Sequence, residues 1–548
     1  MKSVLPAKAE GYLLLVLHAH LPYIRHPEHE HHLEETWLYE AIMESYLPLI
    51  GVFEDLLNDG MDFGITLSLT PPLLEMLSDP LLMARFQRYL DSRIDLAEKE
   101  VFRTRNDPRL APLARMYHHH FLSTRHLFVD TYRKNLISAF RALSETGKVE
   151  LITCAATHAY LPLHMAEPST IQTQISIGTG SFQRHFGRRP VGMWLPECGY
   201  APGLDTFVKE SGIDYIFLES HGLLNAAPKP TKSIYRPVRT PAGLLVFGRD
   251  TESSRQVWSS QGGYPGDADY RDFYRDIGFD LDYAYVKPYL PGGIRTFTGI
   301  KYFRVTGKAD SKDLYDRERG LRKAALHAEH FMQAREEQIL FLRKKLGTRP
   351  VITAAYDAEL FGHWWHEGPE WLRFVLRNPS IEKRPFRLIT PSEYTAENHE
   401  HETVSPSASS WGRGGYSGVW LDPANSWIYK HLKKAAGTMA ALSKQHGTAT
   451  GLLERALNQA LRELLIAQAS DWPFMMRTGN AVQFAEETFK EHLNNFFTLV
   501  KDIRSGDIRE VHLTALEKKN AIFRDIDFRV FAPGLRDDLP SLSTREAL

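Results

Sequence analysis

Two carboxylates stand out by their position in the chain. In MWLPECGY, Met193 to Tyr200, an apolar approach (Val191, Met193, Trp194, Leu195) runs into Pro196-Glu197 and then a Gly-Tyr break, so Glu197 falls where a buried strand ends. Loops that leave buried strands are where scaffolds display chemistry, although a Glu there can also cap a helix. A second stretch, AAYDAELFGHWWHEGPEWL from Ala354 to Leu372, follows the apolar pair Val351 and Ile352. It crowds Asp357, Glu359, His363, His366 and Glu367 among Tyr356, Phe361, Trp364 and Trp365. Such crowding suits sugar chemistry, because ring faces stack on pyranoses while one carboxylate attacks the anomeric carbon and another protonates the leaving oxygen. The plain structural alternative is a helix start with a satisfied polar cluster.

The elements that must position these groups read as strands alternating with helices. YLLLVL at 12 to 17 is continuously apolar between Gly11 and an HAHLP turn, as a strand buried on both faces would be. Helical spacing follows over 36 to 57, with a kink expected at Pro48, and FGITLSL at 63 to 69 is again strand-like. Strand-like runs return at 149 to 155, 191 to 194, 213 to 219, 244 to 248, 351 to 356 and 386 to 390. This order predicts an α/β barrel with its chemistry on the loops after the strands. His18, His20, His158, Glu197 and Asp357 all fall on such loops.

Between about 73 and 147 the pattern is purely helical and reads as an insertion. From about Asn425 it is helical again, with runs such as LLERALNQALRELLIAQA. The segment from 222 to 300 is rich in Gly and Pro and too long for an ordinary connection, so it is expected to supply ordered loops over a cleft, with Arg249, Asp250 and Trp258 the residues to watch. WGRGGYSGVW (411 to 420) and SDWPFMM (470 to 476) break the charged pattern with aromatics and suit either cleft walls or interdomain packing.

Composition narrows the function class. The 548 residues include 29 Phe, 23 Tyr and 10 Trp, an aromatic weight foreign to disordered chains. With 66 basic against 67 acidic residues the net charge is −1, which supplies no field for nucleic acid or an anionic membrane and favours a neutral substrate. Two cysteines, Cys154 and Cys198, do not make a disulfide framework, and the N-terminal apolar run, broken by His18 and His20, reads as neither signal peptide nor membrane span. A cytoplasmic protein is expected. GRGG at 412 to 415 lacks the Lys-Ser/Thr of a phosphate-cradling loop, so no nucleotide cofactor is expected. The sequence carries nothing on oligomeric state.

HAHLPY at 18 to 23, THAYLP at 157 to 162, WLPECGY at 194 to 200, FGRD at 247 to 250, YDAELFGHWWHEGPEWL at 356 to 372 and SSWGRGGYSGVWLDP at 409 to 423 together resemble glycoside hydrolase family 57, and within it the 1,4-α-glucan branching enzymes. The resemblance runs from Gly11 to the SDWPF segment. It implies an incomplete (β/α)7 barrel with a helical insertion and an α-helical C-terminal domain, divided here as 1–75 and 148–405 for the barrel, 76–147 for the insertion and 406–548 for the C-terminal domain. It further implies retaining transfer on an α-glucan in glycogen-type biosynthesis, with no cofactor and no metal. An α-amylase or a 4-α-glucanotransferase on the same fold is the alternative.

By motif, Glu197 matches the nucleophile and Asp357 the general acid/base, while His18, His20 and His158 line the donor site. Arg249 and Asp471 lie in matched motifs and are expected to bind substrate. Trp258, Trp411, Trp420 and Trp472 match positions that present aromatics to the glucan, and Tyr235 is the candidate for the family's loop tyrosine. Two rival classes stay open. A His-x-His after a first barrel strand also begins metal-dependent amidohydrolases and deacetylases, and His18, His20, His158 and Asp357 could then hold one divalent ion. The other is a non-catalytic glycan-binding protein.

Overall fold

Parallel strands with helices between them organise the computed structural model, which describes residues 9–258, 262–307, 311–382 and 384–534. The expected reading of the extreme N-terminus (1–8) and the last part of the C-terminal domain (535–548) lie outside the described residues. The strands are β1 (Gly11–Ala19), β2 (Ile65–Leu69), β3 (Val149–Ile152), β4 (Gly192–Met193), β5 (Tyr215–Leu218), β6 (Val238–Arg239), β7 (Leu245–Gly248), β8 (Val351–Asp357) and β9 (Phe386–Leu388). One sheet runs β3-β2-β1-β8 with β9 also on β1, and the other runs β4-β5-β7-β6. Among the described residues, β6 is the one strand antiparallel to its neighbour. The sheets meet through single bridges, Thr153 to Met193 and Arg249 to Thr353. Seven of the eight parallel strands, with β9 set aside against β1, thus follow one another around an incomplete barrel with two thin seams.

Side chains on a strand alternate between its faces, so parity decides what reaches the barrel interior. Tyr12, Leu14 and Val16 of β1 pack in one buried cluster with Ile152, Cys154, Trp194, Tyr215, Phe217, Leu245, Phe247, Val351 and Ala355. The intervening Leu13, Leu15 and Leu17 face the helices instead. Continuing the interior parity past each run of apolar residues leads to His18, Glu219, Arg249 and Asp357. The register sets His18 beside Ser68 of β2 on one side and Asp357 of β8 on the other.

The expected insertion is helical: Pro71–Leu77, Pro80–Thr104, Leu110–His126 and Leu136–Glu145, the last leading into β3. After β9 come Trp427–Gln445, Gly451–Ala467, Asp471–Thr478, Val482–Ser505 and Glu510–Lys519. Pro48 does not kink a continuous helix. It sits in the first turn of Leu47–Asn58, and the break precedes it as a π-helical turn over Ile42–Tyr46. Both cysteines are free and buried. Among the described residues no helix is long and apolar enough to cross a membrane.

Candidate active site

Glu197 occupies a left-handed backbone conformation (φ 60°, ψ 23°) in the turn after β4, and Cys198 and His158 share positive φ values of 50° and 59°. Side chains other than Gly seldom adopt this region, and such residues cluster at functional sites. The turn aims the Glu197 carboxylate back over the strand ends. Its Oε2 accepts from the Trp411 indole N–H at 3.0 Å and its Oε1 from the Ser470 hydroxyl at 2.9 Å.

That carboxylate fixes where the neighbouring protons lie. An ionised carboxylate only accepts, so the single Ser470 proton points to Glu197 and the Ser470 oxygen must accept from His158 Nδ1, 2.9 Å away. Neutral His158 then offers its Nε2 lone pair to His18 Nε2–H at 3.0 Å, and His18 Nδ1 accepts from the Ser68 hydroxyl at 3.0 Å. This chain requires His158 to be neutral, and a neutral His18 is what lets its Nδ1 accept from Ser68. Burial favours that too, holding His18 and His158 well below the ordinary imidazole range. The 3.9 Å approach of His158 Nδ1 to Glu197 is therefore not an ion pair.

His20 behaves differently. Burial disfavours its cation, but Asp471, 3.1 Å from its Nε2, outweighs burial together with Glu197 and Glu359, so its pKa is raised. Thr70 holds the other ring nitrogen at 3.1 Å, and the His20 backbone N–H donates to Glu359. The Tyr46 hydroxyl, at the end of the π-helical turn, donates to the same Glu359 oxygen at 2.5 Å.

Asp357 closes the interior row at the end of β8. Burial, with the charges of Glu359 and Glu197, pushes its carboxyl up to about 8. Burial also raises Glu197, and Asp471 adds to this, but the Trp411 and Ser470 donors and the His20 charge hold it back. The two carboxyls thus have unlike surroundings, one given hydrogen-bond donors and the other acidic neighbours opposed by Arg249 and His20. That guanidinium pairs with Glu219 at 2.9 Å, donates to the Ala355 carbonyl and lies 5.4 Å from the Trp411 ring centre. An ionised carboxylate beside a protonated one is the arrangement that nucleophilic attack with acid assistance requires.

The structure brings together His18, His20, His158, Glu197, Arg249, Asp357, Trp411 and Asp471. Four expected contacts are not in that group. Trp420 is fully buried, stacked on Tyr160 at 4.3 Å, and Trp472 is fully buried with its indole N–H on the Ile466 carbonyl; neither has surface to offer a sugar here. Trp258 ends the helix Thr251–Trp258, half exposed at 50%. Tyr235 is partly buried, and its carbonyl accepts from Val351 N–H at the first residue of β8. Six strand steps, roughly 20 Å, separate that level from Asp357, so Tyr235 is not a lid over the strand ends.

The metal set suggested by the sequence is also regrouped. Among the described residues, possible ligand atoms converge in His18, Cys154 and His158 and in His20, His158 and Asp471, and Asp357 belongs to neither group. Each of those imidazole nitrogens already has a protein partner.

Ser68, Thr70, Glu219 and Ser470 were missed as site residues, and Glu359 was read only as part of the crowd around Asp357. Parity in β2 could have flagged Ser68, since two polar residues, Thr66 and Ser68, alternate within its otherwise apolar run.

Comparison with known proteins finds relatives along most of the chain. The family model described as glycosyl hydrolase family 57 matches residues 14–406, and one described as 1,4-alpha-glucan branching enzyme, C-terminal, matches 431–531. The chain is 32% identical to a 1,4-alpha-glucan branching enzyme of Thermococcus kodakarensis over 97% of this chain and 80% of that one. Among solved structures, the alpha-amylase AmyC of Thermotoga maritima superposes with a TM-score of 0.90 at 42% identity, covering 97% of this chain and 100% of that one. A branching enzyme of Pyrococcus horikoshii superposes at 0.86 with 31% identity, covering 97% and 98%.

Proposed function

The chain belongs to glycosyl hydrolase family 57, and on that premise we propose that it is a retaining 1,4-α-glucan branching enzyme, cleaving an α-1,4 link and rebuilding it as an α-1,6 branch. Glu197 attacks the anomeric carbon while Asp357 gives its proton to the glycosidic oxygen, releasing the reducing-end chain and leaving a glucosyl ester on Glu197. Asp357, now a carboxylate, takes the proton from the 6-hydroxyl of a second chain as that oxygen displaces Glu197, so two inversions preserve the α configuration. His18, His20, His158, Arg249, Trp411 and Asp471 bind and orient the donor sugar.

One observation carries the branching reading. Residues 431–531 match the branching-enzyme C-terminal model, and this same region supplies Ser470 to Glu197 and Asp471 to His20. Glycogen-like polymer synthesis in the cytoplasm fits two free, buried thiols. A second reading, α-amylase, is favoured by the 42% identity to AmyC. Incubation with amylose separates them: new 1,6 branch points should outnumber new reducing ends, whereas reducing ends without branches would make the protein an amylase.

A further inference from the structure

The loop that carries Asp357 continues into a wall of exposed aromatic rings. After β8 the chain makes a short 3-10 turn, Ala358–Leu360, and a tight loop in which Gly362 N–H donates to the Trp365 carbonyl at 2.8 Å. Phe361 and Trp365 turn inward, but Trp364 is 51% exposed. One face of its indole is covered by Phe273, with ring centres 4.4 Å apart and planes at 24°. Phe273 in turn meets Tyr274 edge-on at 5.1 Å and Phe297 at 5.2 Å, and Phe279 meets Phe297 at 5.5 Å. Tyr274 is 74% exposed and Phe279 47%.

This wall is held rigidly. The Lys301 ammonium lies 4.2 Å from the Phe273 ring centre and 4.0 Å from that of Phe297. The Asp272 carboxylate accepts from the backbone N–H groups of Tyr274 and Arg275 at 2.8 and 3.0 Å. Phe273 and Phe297 are themselves half-buried and back the exposed Trp364, Tyr274 and Phe279, and large exposed rings gathered in one patch mark a binding surface rather than chance exposure. Their occupant follows from continuity with the catalytic loop. The acid/base touches the oxygen between the sugar under attack and the next one, so the surface that extends from its own loop faces the chain beyond the cut. His363, one residue before Trp364, meets Phe273 at 5.4 Å, so the wall joins the loop that follows Asp357.

We propose that Trp364, Phe273 and Tyr274 form a glucan-binding surface that holds the α-1,4-linked chain on the Asp357 side, as leaving chain and then as acceptor. This rests on the branching reading and places its acceptor. The test compares wild type with Trp364→Ala, Trp364→Phe and the double variant Trp364→Ala/Tyr274→Ala. Binding is read by electrophoretic retardation in gels containing glycogen, and turnover on amylose is compared with that on maltoheptaose. Loss of two stacking faces should weaken glycogen binding by about tenfold or more, with Trp364→Phe recovering most of it, and activity loss should be larger on amylose than on the short chain. Melting temperature checks that the exposed substitutions leave the fold intact.

Equal retardation of the folded double variant and wild type overturns the proposal. So does a wild-type dimer that the double variant dissolves in sedimentation velocity, since the wall is then an interface between two copies. If wild type forms no branches yet loses glycogen retardation on substitution, the surface stands and the branching reading fails.

Discussion

Asp357 and Glu197 set the pH behaviour because one must hold a proton while the other lacks it. With Asp357 pushed up to about 8, activity should fall on the alkaline side as that proton is lost, and on the acid side as Glu197 is protonated. The two limbs belong to the coupled pair. A rate that stays flat as the pH rises through about 8 would contradict the roles. Glu197→Gln and Asp357→Asn should each lower turnover about a thousandfold or more with the fold intact.

The same shift has a stability consequence. Between the ordinary 3.8 and about 8 the folded chain keeps a proton that the unfolded chain has released, so stability falls as pH rises through that window. Asp357→Asn should therefore raise the melting temperature at pH 8 and lose that advantage toward pH 4, and melting curves at both values check it. Ser470→Ala removes one donor from Glu197 and the acceptor of His158 Nδ1. It should move the acid limb upward and lower kcat about tenfold with KM little changed, while Ser470→Thr restores both. An unmoved acid limb would show that Ser470 only packs. Glu197, His158 and His18 were legible in the sequence, but the serines that link them into this relay were not. A serine carries no signal of its own until the helix that bears it is docked, and the left-handed backbone at Glu197 and His158 lacks the glycine that would announce it.

At the scale of elements, the loop after β8 is positioned by its fit to the π-helical turn Ile42–Tyr46. Gly362 adopts φ 109°, and a Cβ there would lie 1.7 Å from the Glu44 carbonyl oxygen. Gly362→Ala must push the loop off that turn, separating Tyr46 from Glu359 and Glu359 from His20. A destabilisation of about 2 kcal/mol or more and a matching loss of activity are expected from thermal melts and amylose assays. Wild-type stability would mean the turn yields freely. Long strands were legible because strands buried on both faces read as unbroken apolar runs. β6 and the π-helical turn were not, since a two-residue strand has no periodicity and a π turn differs from an α-helix by one residue of register. Aromatic identity misled at Trp420 and Trp472. Residue type does not say which side of a loop a ring faces, and both turn inward to pack.

Across the whole molecule, the strand ends and the C-terminal helices make one site and not two adjoining parts. Ala159 bridges Ala469, the Ser470 N–H donates to the His158 carbonyl at 3.1 Å, and the Thr157 hydroxyl donates to the Leu465 carbonyl. Gln174 is fully buried beneath this seam: its Nε2 donates to Thr157 Oγ1 at 2.9 Å and Gln468 Oε1 at 3.0 Å, and its Oε1 accepts from Thr157 N–H at 3.0 Å. A leucine at 174 keeps the volume but strands the Thr157 N–H and the Gln468 carbonyl, each costing about 1–3 kcal/mol when buried without a partner. The seam should then loosen, carrying Ser470 away from Glu197, and a misplacement of about 1 Å can cost roughly a hundredfold in rate. Gln174→Leu is thus expected to melt several degrees lower in one transition and, well below that temperature, to lose kcat far more than affinity for glucan. If the variant melts lower yet keeps full kcat, the C-terminal helices stabilise the barrel without aligning its nucleophile.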